Sequence, residues 1–378
     1  MKTDSMLAQA GSRQDPRTGA IAMPIHPSAA FQHPALGQST GFDYSRTSNP
    51  TRLVLERTIA ALDGGSRGLA FASGLAAVDA ALRLFSPGDA LLITEDLYGG
   101  TFRLCENFGR SRGLDFHYVD TADLKAVSAA LDRPGIKGLF VEMPTNPLLK
   151  VADLAALASL ARKRRILYLV DNTFLTPALC RPLEFGADVT VYSATKYLGG
   201  HNDLIAGLLV AKNPELGERL AFIQNAAGAI LGPFESWLLL RSLKTLHLRL
   251  KRHEENARAI AAFLAGHPKI SRLHYPGLPS DPGHATLGKQ ARGYGGMLSF
   301  EVASRAVVEH ILASVRVFLF AESLGATESL VTFPLVQTHA DMPADVQQRI
   351  GLTERLVRLS VGLEDPEDLI GDLAGVLD

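Results

Sequence analysis

The sequence predicts an α/β protein with a mostly parallel sheet covered by helices on both faces, followed by a smaller α+β C-terminal domain. Three observations carry this prediction. From about residue 68 to 193, short apolar runs alternate with helix-periodic stretches, a pattern that puts parallel strands inside and crossover helices outside. Past about residue 235 the texture changes to a long helical stretch followed by alternating strands. The chain has 378 residues, 47% of them apolar and 20% charged, enough for two or three domains with a large core.

In chain order, residues 1–48 are rich in Pro, Gly, Ser and Gln and lack periodicity. They predict an extended arm that needs a surface to lie on, such as a neighbouring subunit. A helix starts after Asn49 as N-cap, with Pro50 at its first position, and ends at Gly64-Gly65. Strands are expected at 68–72, 90–94, 114–119, 138–142, 166–171 and 189–193, with helices at 74–85, 99–113, 121–131 and 153–164. These belong to a first domain, residues 49–240. The second, residues 241–378, takes most of a long helix over 235–264, strands at 296–302 and 356–363, and a last helix opened by Asp365-Pro366.

Composition excludes several classes of function. The formal net charge is −1, so no basic excess draws in nucleic acid or an acidic membrane. The two cysteines, Cys105 and Cys180, are too far apart for a C-x-x-C motif, a disulfide framework or a zinc set. The histidines show no ligand spacing, and no metal is expected. The N-terminus lacks an apolar signal core and no run reaches the roughly 20 apolar residues of a membrane span. A cytoplasmic location is expected.

The chemistry-bearing residues fall at strand ends. Lys196 follows the run 189–193 and sits among Ser193, Thr195, Gly199 and Gly200, small groups that let a ligand approach the backbone. In open α/β sheets ligands bind beyond the carboxyl ends of strands, where a lysine can form a Schiff base with a carbonyl compound. Asp171 closes the preceding run, and an acid there is costly unless it meets a cation. A carbonyl-bearing lysine and a carboxylate on a protonated ring nitrogen are the protein's share of pyridoxal 5'-phosphate (PLP) chemistry. Ser73-Gly74 opens a helix whose N-terminus can hold a phosphate. Tyr98, after the strand 90–94, can stack on a ring. No G-x-G-x-x-G or P-loop motif competes for a dinucleotide or nucleoside triphosphate.

Together with DYSRTSNPTR (43–52), ASGLAA (72–77), YGGTFR (98–103), EMPTNP (142–147), VDNTF (170–174), YSATKYLGGHND (192–203), ESLVTFP (328–334), Thr338-His339 and VRLSVGLED (357–365), these residues resemble the Cys/Met-metabolism PLP-dependent enzymes over nearly the whole chain. That family includes cystathionine γ-synthases, cystathionine β- and γ-lyases and O-acetylhomoserine sulfhydrylases. The resemblance implies fold type I, the aspartate aminotransferase-like fold of PLP-dependent transferases. It makes Lys196 the lysine that carries PLP and moves protons, Asp171 the partner of the ring nitrogen, and Tyr98 the stacking ring that also assists proton transfer. Ser73, Gly74, Leu75, Ser193 and Thr195 would hold the phosphate, and Thr173 would join the cofactor site. Leu75 stands where the family usually has Met. Tyr44 and Arg46 would reach the phosphate of a neighbouring subunit, which implies a homodimer with shared sites, and the resemblance extends this to a tetramer. Asn146 would lie near the cofactor's phenolic oxygen and the substrate, Arg358 would grip the carboxylate of an amino-acid substrate, and Ser329 would steady Lys196 or that carboxylate. Asp43 and Glu328 would meet a distal ammonium group. These acids resemble those of γ-synthases and γ-lyases, and the glycine after Tyr98 stands where methionine γ-lyases carry a reactive cysteine. Stretches 43–52, 199–207 and 320–329 are most similar to bacterial γ-synthases, so γ-replacement on an O-acylated homoserine with cysteine or sulfide is expected, with cystathionine β-lyase and then cystathionine γ-lyase as alternatives.

Overall fold

In the computed structural model, which describes residues 1–377, each apolar run of the N-terminal half becomes a strand: β1 (Arg67–Phe71), β2 (Ala90–Thr94), β3 (Asp115–Val119), β4 (Ile136–Glu142), β5 (Leu167–Asp171) and β6 (Val189–Ser193). A seventh strand, β7 (Gly207–Ala211), joins them in the order β1-β7-β6-β5-β4-β2-β3. The sequence reading passes over β7 because no helix separates it from β6. For the same reason it returns antiparallel, and it pairs antiparallel with both β6 and β1. The remaining pairings are parallel, so the sheet is mostly parallel, with one strand reversed.

Side chains alternate between two apolar cores. Leu92, Leu139, Val141 and Val170 enter one, while Leu91, Ile93, Phe140 and Leu169 enter the other, as expected of a sheet covered on both faces. The helix Pro50–Asp63 starts as expected: the Asn49 side chain accepts from Thr51 N and Arg52 N, and Gly64 at φ 75° ends it. Asp153 caps Leu154–Arg164 in the same manner. The helix expected over 99–113 is instead an α-helical turn, Gly99–Arg103, that widens into a π-helix, Leu104–Gly109, and closes with a 3₁₀ turn, Arg110–Arg112.

The long helix expected over 235–264 is two helices, Pro233–Leu243 and Leu246–Ala265. The break lies at Lys244-Thr245 and is stabilised by a buried arginine. Arg249 donates to Ser242 O (3.0 Å) and Thr245 Oγ1 (3.2 Å), shorter bonds than the 3.4 Å contacts from Thr245 N and Oγ1 that Ser242 O otherwise accepts at the break. Its third bond goes to Tyr197 O (2.7 Å), next to Lys196. The C-terminal part of the chain forms a second sheet from β8 (Arg272–His274), β9 (Met297–Glu301), β10 (Leu319–Phe320), β11 (Leu330–Thr332) and β12 (Leu356–Ser360), in the order β10-β11-β12-β9-β8. A third core lies against it, with Ile260, Phe300, Val331, Leu359 and Leu373. The segment 280–296 folds into the helix His284–Gln290 and docks away from the strand ends: Gln290 bonds Leu154 N and Ala152 O. Among the described residues no helix is long and apolar enough to cross a membrane.

Candidate active site

The carboxyl ends of β2, β4, β5 and β6 meet the C-terminal sheet around a cavity of about 260 Å³. Ser73, Gly74, Leu75, Ser193, Thr195 and Thr173 line one part of it. Tyr98, Asn146, Asp171, Lys196 and Arg358 line the rest. Eleven residues scattered from position 73 to 358 therefore converge as the sequence reading expects.

The end near Ser73 is built of hydroxyls and backbone N–H groups. Ser73 Oγ accepts from Ala76 N, which leaves the earlier amides of the helix Gly74–Leu82 free of intrahelical partners. Two glycines allow the close packing. A Cβ on Gly74 would lie 2.8 Å from Ser193 Cβ, and one on Gly207 would lie 2.0 Å from Ser73 O. Thr173 Oγ1 accepts from Ser193 N (2.8 Å), and Thr195 exchanges bonds with the Ala206 backbone.

Asp171 is 8% exposed and has no ion pair among the described residues. Its Oδ1 accepts from Thr173 N (3.0 Å) and Thr173 Oγ1 (2.6 Å). Burial pushes its pKa up to about 6 against those two bonds. Lys196 donates from Nζ to Ser323 Oγ (3.0 Å). Burial, with a smaller contribution from the nearby Arg358 charge, lowers its pKa to about 8, while Glu322 opposes the shift. Arg358, on β12, is 1% exposed. It donates to Asn146 Oδ1 (2.8 Å), Ser323 O (3.1 Å) and Thr332 Oγ1 (3.2 Å), and its buried Nε has no partner among the described residues.

Two assignments need correction. The tripeptide Glu-Ser-Leu occurs twice, at 322–324 and 328–330, and the structure brings the first copy to the cavity, not the second. Ser323 is the serine against Lys196. Ser329 instead donates to Glu364 Oε2 (2.8 Å) and accepts from Gly362 N (2.7 Å). Glu328 is bonded to Asn202 Nδ2 (2.9 Å) and Thr327 Oγ1 (3.0 Å), outside the cavity lining. The physical reason is location. Both Glu-Ser pairs lie in the loop between β10 and β11, but Ser323, near β10, reaches Lys196 and Arg358, whereas Ser329, adjoining β11, is held by Glu364 and Gly362. Gly325 N donates to Ser360 Oγ (2.7 Å), which pins that loop beside Arg358.

The arm residues lie outside the cavity of their own chain. Asp43 pairs with Ser39 and His33. Tyr44 is half exposed, with the Arg46 guanidinium 5.6 Å from its ring centroid, and Arg46 donates to Asn225 O (3.0 Å). Sequence reasoning also passed over Glu142, which lines the cavity and accepts the Tyr98 amide (2.9 Å). It gave His339 no role. The buried His339 ring lies 3.2 Å from Leu97 O and 3.0 Å from Asn146 O, so it ties the Tyr98 loop to the Asn146 loop. Among the described residues no group of three or more His, Cys, Asp or Glu side chains could hold a metal ion.

The residues present fit PLP: a buried acid without a cation, a lysine held near neutrality, and a tight hydroxyl and N–H cradle that two added methyl groups would fill. Fold and site together define a PLP-dependent enzyme of fold type I. The chain belongs to the Cys/Met metabolism PLP-dependent enzyme family, whose model matches residues 4–378. It is 48% identical over 371 residues to a cystathionine γ-synthase of Haemophilus influenzae, covering 98% of this chain and 96% of that protein. It is 45% identical to a cystathionine γ-lyase of Bacillus subtilis, with 100% of both chains covered. A solved cystathionine γ-synthase from Xanthomonas oryzae pv. oryzae, in complex with aminoacrylate and cysteine, superposes with a TM-score of 0.98 at 39% identity, covering 100% of this chain and 98% of that one.

Proposed function

We propose that the protein catalyses γ-replacement, joining an O-acylated homoserine to cysteine to give cystathionine, or to sulfide to give homocysteine, in methionine biosynthesis by transsulfuration. The observation that carries this reading is the Lys196–Ser323–Glu322 arrangement. The lysine amine is bonded to one neutral hydroxyl, and an acid lines the cavity beside it. An amine whose pKa lies near 8 is free for proton transfer in an appreciable fraction of molecules at neutral pH.

Arg358, already oriented by Asn146 and Thr332, takes the α-carboxylate of the substrate. PLP, when bound, withdraws electrons from the α-carbon and so acidifies its proton. Lys196 would remove that proton, give it up again within the site, and as a neutral amine once more take a second proton from the β-carbon, returning protons to both carbons after the thiol has added. Ser323, bonded to Lys196 Nζ (3.0 Å), would steer the amine between the two positions. The acyl group leaves from the γ-carbon, and the thiol of cysteine adds there. Glu322 receives the ammonium group of the arriving cysteine, the role that the sequence reading had given to Glu328. Tyr98 would stack on the cofactor ring, and Asp171 would hold the ring nitrogen, since both line the cavity. The phosphate end contains no cation from its own chain among the lining residues, which supports completion by Tyr44 and Arg46 of a second subunit in a homodimer, with two dimers forming a tetramer.

A product assay tests the reaction. The purified enzyme is expected to form cystathionine from O-acetyl- or O-succinylhomoserine plus cysteine. Pyruvate from cystathionine, with no cystathionine made, would establish the β-lyase alternative. 2-Oxobutanoate and cysteine from cystathionine would establish a γ-lyase.

A further inference from the structure

Glu142 ends β4 directly beside Asp171, its register partner on β5. Both carboxyls are buried and both line the cavity. Glu142 Oε2 accepts the backbone N–H of Tyr98 (2.9 Å), while the buried Oε1 has no hydrogen-bond partner among the described residues. The charged groups that act on it are Asp171 on β5 and Asp96 in the loop after β2, both acids, together with Arg358 on β12. Arg358 spends its bonds on Asn146, Ser323 and Thr332, so no cation is bonded to Glu142. Two adjacent buried carboxyls without a cation cannot both ionise. Asp171 has two short bonds from Thr173, one of them from a hydroxyl, whereas Glu142 has backbone amides only, Tyr98 N with a weaker contribution from Asn146 N, and its charge is further opposed by Asp96. Donors favour the charged form, so the negative charge settles on Asp171 and the proton on Glu142. Burial, and then the Asp171 charge, raise the Glu142 pKa well above its ordinary value.

We propose that Glu142 is a positioning residue that works as a neutral acid. It anchors the Tyr98 backbone and thereby sets the Tyr98 ring over the cavity, and by holding a proton it leaves Asp171 its negative charge. The inference rests on the stacking role given to Tyr98 and is independent of which bond the enzyme breaks.

Three measurements decide it. The first compares E142Q with E142A in the holoenzyme. Gln keeps the acceptor for the Tyr98 amide and carries no charge, so E142Q is expected to stay within about threefold of wild-type kcat, whereas E142A, with no anchor, falls on the order of 10-fold. The visible circular dichroism of bound PLP is expected to weaken in E142A and recover in E142Q. If E142Q is as damaged as E142A, a negative charge was needed and the proposal is overturned. The second is a double-mutant cycle. If Glu142 acts through Tyr98, E142A has little further effect on kcat or the dichroism in a Y98A background; independent, multiplying losses overturn the anchoring role. Y98A alone separates the premise, because unchanged dichroism in that variant removes the stacking role of Tyr98 itself. The third uses apoprotein and needs no activity. An acid whose folded pKa is raised above 4.5 makes the folded state bind more protons, so its contribution to stability declines as pH rises through that range. The Tm difference between E142Q and wild type is therefore expected to grow in favour of E142Q from about pH 5 to about pH 8. A flat difference overturns the neutral-acid assignment, and this arm holds even if E142A fails to fold.

Discussion

At the scale of single residues, the site depends on two groups held away from their ordinary pKa values, and each gives a pH dependence of known sign. Lys196 works as a base when it is neutral. With its pKa lowered to about 8, kcat is expected to rise as pH increases through that value, and a kcat–pH profile checks it. Asp171 has the opposite relation to stability. Its raised pKa, about 6, means that without cofactor the fold favours the protonated acid, so the apoprotein loses stability as pH rises from about 4 through about 6. D171N is therefore expected to stabilise the apoprotein at pH 8 by about 1–2 kcal/mol, a discount on the roughly 3 kcal/mol that a shift of about two units implies, because the Asn forms weaker bonds with Thr173. The same variant should lose the catalytic advantage of a protonated ring, and paired thermal melts of apo and holo forms would show the order of stabilities reverse. The two Glu-Ser-Leu copies give a second test. S323A is expected to lower kcat by about 10-fold and shift the Lys196 limb of the profile, while S329A costs about 1–3 kcal/mol of stability through the orphaned Gly362 N–H and Glu364, with the profile unmoved. Lys196, Asp171 and Tyr98 were legible in the sequence because each closely follows or ends an apolar run. Glu322 and Ser323 were not, because a tripeptide repeated after six residues looks the same locally at both places. Glu142 was quoted within a motif, but its importance comes from lying beside Asp171, and only strand register reveals that.

At the scale of elements, alternation of apolar runs and helical periods was enough to place six strands and the capped helices around them. It did not reveal β7, whose identity as a strand depends on being sandwiched between β1 and β6. It also did not reveal the break at Lys244-Thr245, since helical periodicity continues across it and the stabilising group, Arg249, lies four residues further on. Both features act on the site. β7 puts Gly207 opposite Ser193 and directly under Ser73. G207A would drive a methyl group into Ser73 O and displace the start of the helix Gly74–Leu82. The expected result is retained far-ultraviolet circular dichroism with PLP affinity weakened on the order of 100-fold, read by titrating apoprotein with PLP. The break at Lys244-Thr245 turns Arg249 toward Tyr197 O, so a helix end of the C-terminal half supports the lysine segment of the N-terminal half.

At the scale of the whole molecule, the two sheets contribute to one cavity: Lys196 comes from the first and Arg358 from the second. Neither half makes a site alone. Asp43, Tyr44 and Arg46 of the arm lie outside their own cavity. If a second subunit completes the phosphate end, dilution that separates subunits is expected to lower specific activity and release PLP together. Sedimentation and PLP absorbance measured on the same dilution series would check it, and activity that persists in a demonstrated monomer would refute it. The outward-facing arm also has a genetic consequence. If sites are shared between subunits, a subunit that lacks Lys196 and one that lacks Arg46 would fail for different reasons, and each would still supply what the other has lost. In a random mixture of the two, half of the pairs are mixed and each mixed pair regains one sound site, so roughly a quarter of all sites recover. Two alleles that are each silent alone would then restore growth when expressed together.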